Sequence, residues 1–170
     1  ETEDFVVQSM PDASPAKWHL AHTTWFFETF VLGPHAGMRP YRDGWGPLFN
    51  SYYVAAGPRH PRAERGLLTR PTVAEVYAYR AAVDDRLRTF MESPQARDPE
   101  VAALLELGLH HEQQHQELLL TDLLHAFSRN PLRPAYAADP VPASTAAPLR
   151  FVERPGGLVS IGHAGPGFAF

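Results

Sequence analysis

His111-Glu112-Gln113-Gln114-His115, set in a leucine-rich stretch, holds the residue types best suited to chemistry in this chain. Four residues apart on a helix, the two imidazoles lie about 6 Å apart along the axis and about 40° apart around it, so one helix can offer both to one metal ion. The same letters spell H-E-x-x-H, in which two histidines hold zinc and the glutamate is the general base of a protease. Two buried imidazoles side by side without a metal would leave costly unpaired polar groups, which favours a metal. The protease reading is the weaker one. No glycine-histidine extension follows, and Glu117 and Asp122 are too close to serve as the usual third ligand from a separate helix.

His22 is the third candidate. It is the one histidine outside the His111 helix that combines a helical setting with an apolar face, formed by Trp18, Ala21, Trp25 and Leu32. Taken alone, such a histidine is more often a hydrogen-bonded core residue than a ligand. Facing a helix that already carries a pair, it completes the kind of site that bundles build from inward side chains. Three neutral imidazoles leave an ion its full charge, with positions free for a thiolate, water or dioxygen. His19 lies slightly off the apolar face. His110 and His125 read as solvent-facing or outer-sphere residues. Asp122, about two turns past His115, either orients a ligand imidazole or is a solvated acid.

Four helical segments must position these groups. Asp4 to Met10 reads as the end of a helix that begins upstream, stopped by Pro11. A second helix starts with Ser14 as cap and Pro15 in the first turn, and ends at Gly33-Pro34. Residues 34 to 71 show no sustained helical period and are dense in Gly, Pro and aromatics, the signature of a long functional connection. It carries Arg59, His60, Arg62, Arg65 and Arg70. Arg62 and Arg65 could clamp a carboxylate, although from the residues alone a solvated turn is the plainer reading. Thr72 to Glu75 fits a capping box for a third helix running to about Ser93, with Val73, Val76, Arg80, Val83, Leu87 and Phe90 in period. Asp98-Pro99 opens the fourth and longest helix, to about Arg129, with Leu104, Gly108, His111, His115 and Asp122 on one stripe. The fold class is all-α over residues 1–133. Residues 134–149, rich in Pro and Ala, read as a linker, and residues 151–162 as two short strands about Pro155-Gly156-Gly157, a hairpin that either opens a second domain over 150–170 or packs on something else.

The 170 residues suffice for one full domain. Cysteine is absent, so disulfides and thiolate metal sites are excluded, and a reducing cytoplasm is the default location. Fifteen basic and nineteen acidic residues without long runs give no footprint for nucleic acid or an anionic membrane. No apolar run approaches a membrane span.

Four stretches resemble the ergothioneine-biosynthesis sulfoxide synthases, in order and spacing: Ser14 to Glu28, Phe49-Asn50-Ser51-Tyr52-Tyr53, Arg62 to Pro71, and His111 to Glu117. The resemblance implies a DinB-like four-helix bundle followed by a formylglycine-generating-enzyme-like, C-type-lectin-like domain. It implies that His22, His111 and His115 hold a non-haem Fe(2+). It also places Arg62 and Arg65 beside the carboxylate of the thiol substrate. The implied substrates are O2, N-alpha-trimethylhistidine, and cysteine or gamma-glutamylcysteine, with a selenosugar in a related branch. The catalytic tyrosine is implied to lie in the second domain beyond Phe170, so residues 1–170 alone are expected to show little turnover. Two other readings use the same histidines: a zinc hydrolase or DinB-type thiol transferase, and a metal-binding bundle without catalysis.

Overall fold

The computed structural model describes residues 1–137 and 145–170, which form two units, Glu1–Tyr136 and Ala137–Phe170. All regular elements among the described residues are helical. In the first unit, α1 (Ala16–Phe26) runs through a π-helical turn, Phe27–Leu32, into α2 (Gly33–Ala36). The long connection holds only α3 (Trp45–Phe49) and two 3-10 turns, and is followed by α4 (Val73–Met91) and α5 (Pro99–Arg129). Helix α1 packs against both α4 and α5. Its two indoles, Trp18 and Trp25, join Phe26, Phe49, Tyr79, Val76, Val83 and Val101 in one buried core. Each such large apolar side chain contributes about 1.5–3 kcal/mol by leaving water.

Local chemistry explains the helix ends. Thr72 Oγ1 accepts from the Glu75 N–H, and the Glu75 carboxylate accepts from the Thr72 N–H, which completes the capping box of α4. Asp98 caps α5 by accepting from the Glu100 N–H at 2.8 Å, with Pro99 in the first turn. Ser14 departs from expectation. The N-cap of α1 is Pro15, and the Ser14 hydroxyl instead accepts from Arg65 Nη1 at 2.8 Å, because a buried guanidinium needs an acceptor more than a helix end does.

Gly33-Pro34 likewise fails to end the helix. Pro34 has no N–H and its ring collides with the carbonyl four residues back. The chain answers by widening to a π turn, in which the Gly33 N–H reaches the Glu28 carbonyl five residues back, and the helix stops at Gly37 in a left-handed conformation (φ 62°). On α4 it is Tyr79, rather than Arg80, that takes the fully buried place; its hydroxyl donates to Glu28 at 2.7 Å.

The expected helix end over Asp4 to Met10 is a short 3-10 helix, Thr2–Val6, so the described residues hold three long helices rather than four. Of the expected linker 134–149, residues 138–144 lie outside the described residues, and 145–149 have no regular structure. The hairpin expected over 151–162 does not form among the described residues of the second unit. Leu158, Val159 and Ile161 stay exposed, and two short strands with no apolar face to bury are not stable by themselves. No described helix is long and apolar enough to cross a membrane.

Candidate metal centre

His22 is held from three sides. Its ring stacks on Trp18 (4.5 Å between centroids, 14° between planes) and on Trp25 (5.7 Å, 18°). Helical spacing produces this sandwich, since residues 18, 22 and 25 occupy one face of α1. Its Nδ1–H donates to the Phe49 carbonyl at 2.5 Å. A carbonyl only accepts, so the lone pair of His22 is on Nε2. The loop motif around Asn50 therefore acts on the centre through its backbone. The Asn50 side-chain amide in turn donates to the carbonyls of Tyr53 and Gly57 and fixes the loop.

His111 and His115 reach the same point from α5. Gly108, one turn earlier, lets α5 approach: a Cβ there would lie 2.5 Å and 2.7 Å from ring atoms of Phe27 and 3.0 Å from Phe26. The structure brings His22, His111 and His115 together with one ring nitrogen of each within 4.8 Å of the others. His111 Nδ1 is buried and has no hydrogen-bond partner in the protein. An orphaned nitrogen beside two other imidazoles is costly, and the donor set suits a divalent transition metal. The three histidines could therefore hold a metal ion.

Burial lowers the pKa of all three: His111 to about 4, His22 to about 3 against the raising effect of its Phe49 hydrogen bond, and His115 to about 2 with the neighbouring imidazoles adding to burial. Neutral imidazoles near pH 7 are ready to bind metal without releasing a proton. The unfolded chain, with histidines near 6.5, binds more protons than the fold below that pH. Stability of the metal-free protein is thus fully present above about pH 6.5 and falls as pH drops toward 4. The expected loss is on the order of 1 kcal/mol per histidine per pH unit, read from chemical-denaturation midpoints at pH 7, 6 and 5.

Glu112, the general base of the protease reading, is paired with α4. Both its oxygens accept from Arg80 Nη1 at 3.0 Å, and Arg80 Nε also pairs with Asp84. The carboxylate is thereby engaged on α4, and the cavity over the histidines has no acidic lining residue. Glu112→Ala is expected to leave metal stoichiometry unchanged and to cost about 1 kcal/mol of stability through the lost bonds to Arg80, which keeps Asp84 and Thr23 as partners, measurable by denaturant titration with and without metal.

The cavity measures about 520 Å³ and is walled by Trp18, Ser51, Tyr52, Tyr53, Arg62 and Arg65 above the three histidines. Both arginines singled out in the sequence thus reach it, in different states. Arg62 is exposed and donates to the Tyr52 hydroxyl at 2.5 Å and to the Asp12 carbonyl. Arg65 is buried, lies 3.4 Å over the Trp18 ring, and donates to Ser14 Oγ and to Ser51 Oγ at 3.2 Å. Its Nε has no partner in the protein.

The bond from His19 to His115 was not foreseen, whereas an orienting role for Asp122 was one of its two readings. His19 donates or accepts at 2.8 Å between its Nδ1 and that of His115, while its Nε2 meets Asp122 at 3.0 Å. Asp122 orients His19 and not a ligand directly. His125 bonds Ser9 Oγ at 2.8 Å and is half-buried. His110 meets the Gln113 side chain at 3.1 Å. The repeated i, i+3, i+4 spacing of Trp18, His19, His22 and Trp25 was the available signal for the stack. No sequence signal marked the Phe49 carbonyl.

Fold and site together define a helical domain with a three-histidine centre able to hold a metal. Residues 1–119 match the DinB superfamily, and the chain belongs to that metal-binding helical superfamily. No curated protein matches the chain.

Proposed function

We propose that the protein is the metal-bearing part of an iron(II)- and O2-dependent sulfoxide synthase of ergothioneine biosynthesis, acting in the cytoplasm. The observation that carries this reading is a three-imidazole cluster open to a cavity with two arginines and no carboxylate. The four resemblant stretches supply its particular chemistry. A thiol and the imidazole C–H of N-alpha-trimethylhistidine join as a C–S bond, the sulfur becomes a sulfoxide, and O2 takes four electrons. One oxygen atom ends on sulfur and the other leaves as water with the thiol and imidazole hydrogens.

Iron(II), when bound, supplies free coordination positions and electron transfer to dioxygen. The chain's own residues position and screen. His22, His111 and His115 remain neutral donors, because burial keeps protons off them. Arg62, exposed at the rim, attracts the carboxylate of cysteine or gamma-glutamylcysteine, and Arg65 adds fixed positive charge at the wall. Trp18 and Trp25 exclude water from one side of the centre. The catalytic tyrosine and much of the trimethylhistidine pocket are assigned by the resemblance to a formylglycine-generating-enzyme-like domain.

A zinc hydrolase would need Glu112 at the centre, whereas Arg80 holds it. The test is metal analysis and oxygen uptake by the full-length protein. Iron with uptake dependent on both a thiol and trimethylhistidine is the expected result. Zinc with peptidase or thiol-transfer activity, or metal without any turnover, overturns the proposal.

A further inference from the structure

We propose that Asp122 and His19 form a positioning relay that fixes the proton of His115 on Nδ1 and so turns its Nε2 lone pair to the metal centre. This rests on the three-histidine cluster being a metal site, and not on the reaction proposed for it.

The argument starts from the acceptor end. Asp122 Oδ2 receives the Ser14 N–H at 2.8 Å and faces His19 Nε2 at 3.0 Å. Burial raises the pKa of Asp122, but the hydrogen bonds from His19 and Ser14 outweigh it and hold the group below its ordinary value. A carboxylate has only lone pairs to give, so His19 Nε2 carries the hydrogen. His19 Nδ1 is then the ring atom left to face α5. That atom lies 2.8 Å from Nδ1 of His115, and two lone pairs cannot meet at this distance. That bond occupies His115 Nδ1, so the nitrogen left to face His22 and His111 is Nε2. An imidazole that offers its Nε2 lone pair carries its hydrogen on Nδ1, where it donates to His19.

The direction matters because a free neutral histidine side chain favours the hydrogen on Nε2, which here is the nitrogen that must bind. His22 meets the same requirement by donating from Nδ1 to a backbone carbonyl. His115, on the far helix, has no such carbonyl and uses a side-chain pair that spans α1 and α5. His19 and Asp122 are both largely buried, with side-chain exposures of 5% and 15%, so water competes little for these bonds. Outer partners of this kind typically change metal affinity 10- to 100-fold.

The test uses the full chain, cobalt(II) as the probe, and long-range proton–nitrogen NMR of His115 in metal-free protein. Wild type is expected to bind one cobalt with the visible absorption of a three-nitrogen site, and to show His115 protonated on Nδ1. His19→Leu should weaken cobalt binding about 10- to 100-fold and move the His115 hydrogen to Nε2. His19→Asn should recover most of the affinity, since an asparagine carbonyl falls near the place of histidine Nδ1 and can accept from His115. Asp122→Asn should give a mixture of both tautomers, because an amide can donate or accept.

Wild-type His115 protonated on Nε2, or unchanged affinity in His19→Leu, overturns the relay. An Asp122→Asn protein with His115 wholly Nδ1-protonated removes Asp122 from it. Failure of wild type to bind cobalt would strike the three-histidine centre itself, and the tautomer of His115 in that protein still decides whether the relay exists.

Discussion

His22→Ala is expected to lower metal affinity by more than about 100-fold while the protein stays helical. Losing an outer-shell partner typically costs 10- to 100-fold, and losing one of three direct donors costs more, since two imidazoles on one helix can satisfy only adjacent positions on an ion. The substitution also takes out the middle of the Trp18–His22–Trp25 stack and strands the Phe49 carbonyl, which loses its donor in a buried setting. A stability loss of about 2–4 kcal/mol in the metal-free state should accompany the lost affinity. His111→Ala separates the two effects. It removes a donor whose Nδ1 has no partner in the protein, so affinity should fall as far with a smaller loss of metal-free stability. Equilibrium metal titration and denaturant unfolding of both variants check this. Affinity within about tenfold of wild type in either variant would place the metal elsewhere.

Gly108→Ala gives the second large effect, and here two terms oppose. Alanine in place of glycine inside a helix gains about 1 kcal/mol of propensity. Against this, the new methyl would sit 2.5–3.0 Å from the rings of Phe26 and Phe27, which are themselves buried and cannot swing away. Overpacking of this kind costs about 1–3 kcal/mol, and the closeness of three ring atoms puts this case at the upper end, so the contact wins. The expected outcome is a melting temperature lowered by roughly 2–8 °C. Metal affinity should fall too, because His111 sits one turn from the displaced backbone. Retention of both wild-type stability and affinity would show that α5 does not need this close approach.

The sequence made the helices legible where their ends carry their own chemistry. Thr72 with Glu75, and Asp98 with Pro99, are local signals, and the structure realises both. It misled where a tertiary partner outbid a local one. Ser14 looked like a helix cap until Arg65 claimed its hydroxyl, and Pro34 looked like a stop because periodicity does not anticipate a π turn. The histidines on α5 could be paired from spacing alone, whereas His22 needed a partner helix whose distance no spacing encodes. The relay through His19 was hidden for the same reason, since its two ends are 96 and 103 residues away. Arg62 and Arg65 are three residues apart and look interchangeable as letters. Only the packing of Arg65 on Trp18 distinguishes the fixed cation from the exposed one.

The indole sandwich around His22 also has an optical consequence. The protein has three tryptophans, and two of them, Trp18 and Trp25, lie face to face with this one imidazole. Two of the three indole fluorophores therefore lie against the candidate ligand His22, and metal binding there is expected to change the intrinsic fluorescence of the protein. The centre carries its own reporter dye, and filling or emptying it can be followed without a label.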